Sequence, residues 1–165
     1  MARRATKAPA AAILDRTFSP ATLAELGKAA EHCRRRDGQL TELRRLVLGI
    51  LLQKRAPMGA YEIIQLLSEL SAKMVGPPTI YRAMDFLIEM GLVARVASRN
   101  AFVACAHPDH AHDCVFFICQ SCGGTQEIED QRLDRLIRED AKGLGFEPMH
   151  RVLEIEGTCR SCRAG

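Results

Sequence analysis

The chain has 165 residues, of which 47% are hydrophobic and 26% charged, a composition typical of a globular protein with a buried core. No apolar run reaches the length of a membrane-spanning helix, and the N-terminal segment lacks the continuous apolar stretch of a secretory signal. These features argue against a membrane partner. They favour a cytoplasmic protein, where thiols stay reduced and paired cysteines bind metal more often than they form disulfides.

The net charge is concentrated at the N-terminus. The chain has a formal net charge of +3, and residues 1–16 carry four basic residues against Asp15, so the rest of the chain is balanced. A nucleic-acid function must therefore rest on a motif and not on overall charge. We expect residues 1–20 to form a disordered basic tail that adds at most nonspecific attraction to phosphate.

Apolar residues at helical spacing predict three helices in the first half of the chain. The first covers 22–36, the second starts at Thr41, and the third covers 60–70 after a turn at 57–59. Basic residues in the last turn of the first helix complement the helix dipole, and Asp37-Gly38 ends it.

A fourth helix and a hairpin follow. Pro77-Pro78 predicts a helix over 79–90 with Thr79 as its N-cap, and Gly91 ends it. Two β-prone runs joined by residues 98–100 then predict a hairpin. Helices followed by a hairpin form the winged-helix arrangement, in which the helix at 79–90 would enter the major groove of DNA. An ordinary helical bundle is the alternative. The inward face is predicted to carry Ile80, Ala83, Met84 and Leu87, and the outward face Tyr81, Arg82 and Asp85.

The last third of the chain has a different pattern. VFFIC, TQEIE and RVLEIEG read as strands, and 131–142 as a charged helix with Leu133, Leu136 and Ile137 facing inward. A helix among three strands makes a small α/β unit, so the whole chain is predicted to be α+β. A unit of this size usually needs a metal ion or a dimer interface to complete its core.

Two CxxC pairs are the strongest metal signal in the sequence. Cys119 and Cys122 form the first pair, and Cys159 and Cys162 form the second. Two intervening residues let both thiolates turn toward one ion, and four sulfurs complete a closed tetrahedral Zn²⁺ site with no open position for a substrate. We therefore expect a structural zinc ion, with a redox dithiol pair as the alternative.

A second group of metal donors lies around the connection between the two halves. A site drawn from both halves would fix the angle between them, because an ion binds only the arrangement that brings its ligands together. That geometry is typical of a sensor, whereas exposed surface histidines are the alternative. The donors are Cys105, Cys114, His107, His110, His112 and His150, with Glu127 nearby.

The run 77–93, PPTIYRAMDFLIEMGLV, the hairpin ending in Cys105 and the two CxxC pairs resemble the ferric uptake regulator family. FVAC, followed by a histidine-bearing insert before FICQSCG, is most similar to the zinc uptake regulator branch of that family. The resemblance covers roughly residues 25–163. It implies an N-terminal winged-helix DNA-binding domain at 21–105, followed by a hinge and a small α/β dimerisation and metal-binding domain at 106–165.

The resemblance also implies a function. The chain is expected to be a dimeric repressor of zinc uptake genes that binds palindromic operator DNA when loaded with Zn²⁺, with two zinc ions per chain and no small-molecule substrate. By position, the structural zinc ligands are Cys119, Cys122, Cys159 and Cys162. The regulatory ligands are Cys105, His112 and Glu127, and the DNA-binding residues are Tyr61, Tyr81, Arg82 and Arg44.

The sequence departs from zinc-sensing relatives at Ala94, where they can carry a histidine ligand. We favour His110 as the fourth regulatory ligand, because an HxH pair with His112 can converge on one ion. His107, Cys114 or water are the alternatives. Asp134 and His150 lie where some members of the family have a further, weaker site.

Other functions fit the sequence less well. A thiolate at Cys105 favours Zn²⁺ over iron or manganese, although a sensor of iron, manganese or peroxide is the alternative within the family. A zinc hydrolase would need an open metal position beside a general base, and the HExxH motif is absent. A zinc-ribbon adaptor without a DNA role is the third possibility.

Overall fold

The computed structural model describes residues 14, 16–70, 75–105, 113–128, 130–148 and 151–164, with the backbone alone at 113, 114 and 151. The helices are α1 (Pro20–Arg35), α2 (Glu42–Lys54), α3 (Ala60–Leu70), α4 (Pro77–Glu89), α5 (Gln131–Gly143) and α6 (Arg160–Arg163). The strands are β1 (Met58–Gly59), β2 (Val93–Val96), β3 (Ala101–Ala104), β4 (Asp113–Cys119), β5 (Thr125–Ile128) and β6 (Arg151–Gly157). In the described parts of the chain, no helix is long and apolar enough to cross a membrane.

Helices α1–α4 pack around one apolar core, as their periodicity predicts. Ser19 caps α1 by accepting the Thr22 N–H, and Asp37 ends it in the left-handed conformation. Leu14 and Phe18 are buried in the same core, so the packed chain begins before the predicted tail boundary at residue 20. Phe18 lies against Gly49, where a Cβ atom would come within 2.5 Å of its ring.

The start of α4 differs from its prediction. The helix begins at Pro77 with Gly76 as its N-cap, so the assignment of Thr79 as the N-cap is wrong. Proline is favoured in the first turn because the N–H that it lacks would have no partner within the helix. The predicted faces are confirmed. Gly91, with φ 74°, follows the helix as predicted, and the buried residues are Ile80, Ala83, Met84 and Leu87.

Strands β2 and β3 form the predicted hairpin, which we call the wing (Val93–Ala104). Its turn is a single 3₁₀ turn, Ala97–Arg99, closed by Asn100 in the left-handed conformation. The segment predicted as a turn at 57–59 also contributes β1, whose Met58 pairs with Phe102 at the edge of the wing. Four helices and a three-stranded sheet of order β1-β3-β2 confirm the winged-helix prediction.

The C-terminal sheet has the order β5-β4-β6. Strand β4 is antiparallel to β5 and parallel to β6, and α5 lies in the connection between β5 and β6. Within the single chain, Leu136 of α5 is 55% exposed, so its predicted inward position is wrong. Phe117 and its register partner Ile155 are also more than 40% exposed. Helical periodicity identifies an apolar face but does not say whether the same chain covers it.

A small apolar cluster joins the two halves. The residues from the wing side are Ala94, Val96, Val103 and Cys105, and those from β4 are Phe116 and Ile118. All six are buried, so the wing packs directly on one face of the C-terminal sheet. Cys105, a candidate regulatory residue, belongs to this junction.

Candidate metal centres and nucleic-acid interface

The two CxxC pairs meet at one end of the C-terminal sheet. Cys119 ends β4, Cys122 follows in a turn closed by Gly123 at φ 75°, and Cys159 and Cys162 flank the start of α6. All four sulfur atoms lie within 4.8 Å of one another, and the Cys122 and Cys159 Sγ atoms are 3.9 Å apart. Sulfur ligands around a tetrahedral zinc ion lie about 3.8 Å apart. The four side chains therefore fit a single zinc ion.

The four thiols are not equivalent. The backbone N–H of Cys159 donates to the Cys119 Sγ atom at 3.3 Å, and this hydrogen bond is the main reason why the pKa of Cys119 is lowered to about 5. Hydrogen bonds to the sulfurs of Cys159 and Cys122 raise the pKa of Cys162 to about 12. Cys119 is thus a ready thiolate, whereas Cys162 must lose a proton to bind a metal.

Two of the candidate regulatory residues, Cys105 and Glu127, lie at the junction. Buried Cys105 and half-buried Glu127 line one cavity of about 360 Å³, together with Glu25 of α1 and Arg55 after α2. The Cys105 N–H donates to the Leu92 carbonyl at 3.0 Å, which anchors the end of the wing. The structure therefore brings Cys105 and Glu127 to the same cavity, and side chains from both halves line it.

The remaining regulatory candidates cannot be placed. His107, His110, His112 and His150 lie outside the described residues, as does the side chain of Cys114. Their roles as ligands stay predictions. Ala94 is buried in the same cluster as Cys105, so the position that carries a histidine in some relatives faces the junction. Asp134 lies in the first turn of α5, where it pairs with Arg138 at 2.8 Å.

Three of the four predicted DNA-binding residues are exposed on α3 and α4. Tyr61 of α3 is 74% exposed and Tyr81 of α4 is 42% exposed, and Arg82 beside it also faces outward. Tyr81 makes an edge-on contact with Phe102 of the wing, with ring centroids 6.5 Å apart. At the start of α3, Glu62 accepts the Gly59 N–H at 2.7 Å.

Arg44 has a different environment. Its guanidinium carbon lies 3.4 Å from the centroid of the Phe86 ring, and its Nη1 atom donates to the Gln39 carbonyl at 2.7 Å. The side chain is half-buried, so one face of the guanidinium is occupied by packing between α2 and α4.

Sequence reasoning missed a second contact between the halves. The carboxylate of Glu154 in β6 accepts the Ala97 N–H at 2.6 Å and the Ser98 N–H at 3.1 Å. Arg99 Nη2 donates to the Cys119 carbonyl at 2.9 Å. Partial burial acts to raise the pKa of Glu154, but the hydrogen bonds from Ser98 and Ala97 outweigh it and hold this pKa below its usual value. No local sequence signal marks these residues, because each pair is far apart along the chain.

Residues 36–156 match the family described as the ferric uptake regulator family. The zinc uptake regulation protein of Escherichia coli (strain K12) is 35% identical over 138 residues, which cover 83% of this chain and 80% of that protein. A solved structure of a zinc uptake regulator complexed with zinc and DNA is 33% identical, with a TM-score of 0.81. The match covers 88% of this chain and 97% of that one.

The relative XcZur has been solved in two forms. The holo structure matches with 36% identity and a TM-score of 0.78, covering 86% of this chain and 99% of that one. The apo structure matches with 35% identity and a TM-score of only 0.50, covering 86% and 97%. The present chain is therefore more similar in overall structure to the holo form than to the apo form. Because the family model matches residues 36–156, well over half of the chain, the chain belongs to the ferric uptake regulator family.

Proposed function

We propose that this protein is a zinc-responsive transcriptional repressor that binds palindromic operator DNA as a dimer when its regulatory site holds Zn²⁺, and so controls zinc uptake genes. The observation that carries the proposal is the match, over most of both chains, to a zinc uptake regulator complexed with zinc and DNA. The four-sulfur cluster and the exposed start of α4 support it independently.

The two proposed zinc sites have different tasks. Cys119, Cys122, Cys159 and Cys162 hold a structural ion that ties α6 and the end of β6 to the end of β4. Zinc at a closed four-sulfur site supplies folding free energy and no catalytic chemistry. The regulatory site consists of Cys105, His110, His112 and Glu127, which makes two ions per chain. Cys105 follows the wing and Glu127 belongs to β5, so a site that uses both requires the halves to be packed together.

DNA recognition is assigned to the exposed surface around α4. Tyr81 and Arg82 lie in the first turns of α4, the part of a recognition helix that contacts base edges. Tyr61 adds a contact from α3. Arg44 is also proposed to take part, although its stacking on Phe86 leaves less of its guanidinium for phosphate.

The dimer is proposed to form through the C-terminal unit. The large apolar residues that the described part of this unit leaves exposed are Phe117, Leu136, Leu144, Phe146, Val152 and Ile155. A second copy of the chain would remove this surface from water, as small units without a complete core require. The described cysteines are all free thiols, which fits action in the reducing cytoplasm.

The metal specificity is tested by comparing three metal ions as activators of DNA binding. The purified protein is titrated with Zn²⁺, Fe²⁺ and Mn²⁺ under buffered free-metal conditions, and its binding is measured to duplexes selected from a random library in the presence of each metal in turn. We expect Zn²⁺ alone to activate binding at low free concentration, because a thiolate ligand favours it. Activation by Fe²⁺ or Mn²⁺ without a response to Zn²⁺ would overturn the zinc assignment and leave the family assignment intact.

A further inference from the structure

The wing is held to the C-terminal sheet by polar contacts of Glu154 and Arg99, neither of which is a proposed metal ligand. Both carboxylate oxygens of Glu154 accept backbone N–H groups of the wing turn, from Ala97 at 2.6 Å and from Ser98 at 3.1 Å. These N–H groups belong to the start of a 3₁₀ turn, where the backbone offers no internal partner. Arg99 of the same turn donates to the Cys119 carbonyl at 2.9 Å.

The register of the sheet places this contact beside the candidate regulatory site. In β4, Phe116 pairs with Glu127 on one side and with Glu154 on the other, so all three side chains emerge from the same face of the sheet. Glu127 lines the cavity that contains Cys105, whereas Glu154 reaches the wing turn. The wing therefore meets this face at two separated points, with the apolar cluster between them.

The wing is in turn packed against the helix proposed to read DNA. Leu92 donates its N–H to the Leu87 carbonyl at 2.8 Å, and Tyr81 contacts Phe102 edge-on. A displacement of the wing relative to the C-terminal sheet therefore also moves α4. The dimer is proposed to form through the C-terminal unit. The orientation of α4 within a dimer therefore depends on how the wing is attached to the C-terminal sheet.

We infer that Glu154 and Arg99 form a clamp that positions the wing, and with it α4, on the C-terminal sheet in the arrangement that binds DNA. The inference rests on the proposed function. Both residues act through the wing turn, because Glu154 accepts two of its N–H groups and Arg99 belongs to it. A carboxylate that accepts two N–H groups makes stronger, charge-assisted hydrogen bonds and defines one orientation of the turn. The clamp thus stabilises the DNA-binding arrangement without a metal ion, in addition to the stabilisation that the regulatory ligands provide.

The first test measures the contact without DNA. In the zinc-loaded, full-length protein, amide hydrogen exchange is followed by NMR in wild type and in Glu154→Ala. We expect the Ala97 and Ser98 amides to exchange on the order of tenfold faster in the variant. Glu156→Ala is the matched control, because Glu156 lies on the same strand and its carboxylate accepts a hydrogen bond from the Gln120 side chain at 3.0 Å. Equal exchange rates in the two variants would overturn the clamp.

The second test measures positioning. Binding to a duplex selected by the wild-type protein is compared at saturating zinc, along with zinc stoichiometry, melting temperature and small-angle X-ray scattering. Glu154→Ala and Arg99→Met are each expected to weaken DNA binding on the order of tenfold and to enlarge the radius of gyration, with zinc content unchanged. The loss of DNA-binding free energy in the double variant is expected to be smaller than the sum of the losses in the two single variants, because both residues act on one turn.

The outcomes separate the clamp from the proposed function. Loss of zinc or a lowered melting temperature in step with the loss of DNA binding would overturn the positioning role in favour of a merely structural one. Unchanged DNA affinity with faster exchange would also overturn it. If the wild-type protein selects no duplex, the proposed function fails, whereas the exchange and scattering measurements still decide whether Glu154 holds the wing.

Discussion

Arg44 of α2 lies across the face of Phe86 of α4, with 3.4 Å between the guanidinium carbon and the ring centroid. This cation–π contact joins the second helix to the proposed recognition helix. A residue predicted from the sequence to bind DNA thus also packs the core of the winged-helix unit.

Replacement of Arg44 by methionine should lower stability as well as DNA affinity. Partly buried cation–π contacts contribute about 0.5–2 kcal/mol, so we expect a loss of this size in the free energy of unfolding measured by urea denaturation. Lys54→Met serves as the control, because Lys54 is exposed in the last turn of the same helix. Equal effects of the two substitutions would mean that the Phe86 contact adds nothing to stability.

Replacement of Arg82 by alanine should affect DNA binding alone. Arg82 is exposed in the first turns of α4, so its loss leaves the core unchanged. We expect weaker binding by about 1–3 kcal/mol if it contacts a base, and less if it contacts only phosphate. Glu89→Ala, at the far end of the same helix, is the control for fluorescence anisotropy titrations. An unchanged affinity for Arg82→Ala would favour the adaptor alternative.

The two cysteine sites should respond differently to substitution. Cys119→Ser is expected to destabilise the C-terminal unit and to remove one zinc ion, because it breaks the four-sulfur cluster. Cys105→Ser is expected to abolish the zinc response of DNA binding while the chain stays folded. Zinc content measured by mass spectrometry, together with folding measured by circular dichroism, distinguishes the two variants.

Cys33→Ala is the cysteine control for that comparison. Cys33 is buried in the helical core, away from both metal sites, so its replacement should leave zinc content unchanged. If Cys105→Ser unfolds the chain, the roles assigned to the two sites are exchanged.

Zinc binding to the four-sulfur site should weaken as the pH falls. Cys162, with a pKa raised to about 12, must release its proton to bind the ion, whereas Cys119, with a pKa lowered to about 5, is already a thiolate at neutral pH. Below pH 5, Cys119 also becomes protonated. The slope of log affinity against pH should therefore increase by about one as the pH falls through 5. Competition titrations with a zinc chelator over pH 4.5–8 measure it, and a constant slope would contradict the assignment.

Ile155→Asp should convert the dimer to monomers. Ile155 and its partner Phe117 are more than 40% exposed in the single chain, and a carboxylate buried there between two copies would lack a partner. Sedimentation velocity of the zinc-loaded protein measures the association state. Glu156→Gln, one residue further on the same strand, should remain a dimer, and a dimeric Ile155→Asp would place the interface elsewhere.

Much of the local structure was predictable because it depends on neighbours in the chain. Helical spacing identified the buried face of α4, and the spacing of Cys119, Cys122, Cys159 and Cys162 indicated one metal cluster. One error was also local in origin. Thr79 suits an N-cap because its side chain can accept a hydrogen bond, whereas the two prolines favour a helix that starts at Pro77.

The sequence by itself determined the helices, the strands, the metal-binding residue types and the family resemblance, since periodicity and ligand spacing act over a few residues. Only the tertiary structure decided how the wing meets the C-terminal sheet. Glu154 contacts residues 56 and 57 positions away, and Leu136 is exposed although it lies on an apolar helix face. Such contacts depend on the register of β4 with β5 and β6 and on which surfaces the rest of the chain covers, and no local pattern carries that information.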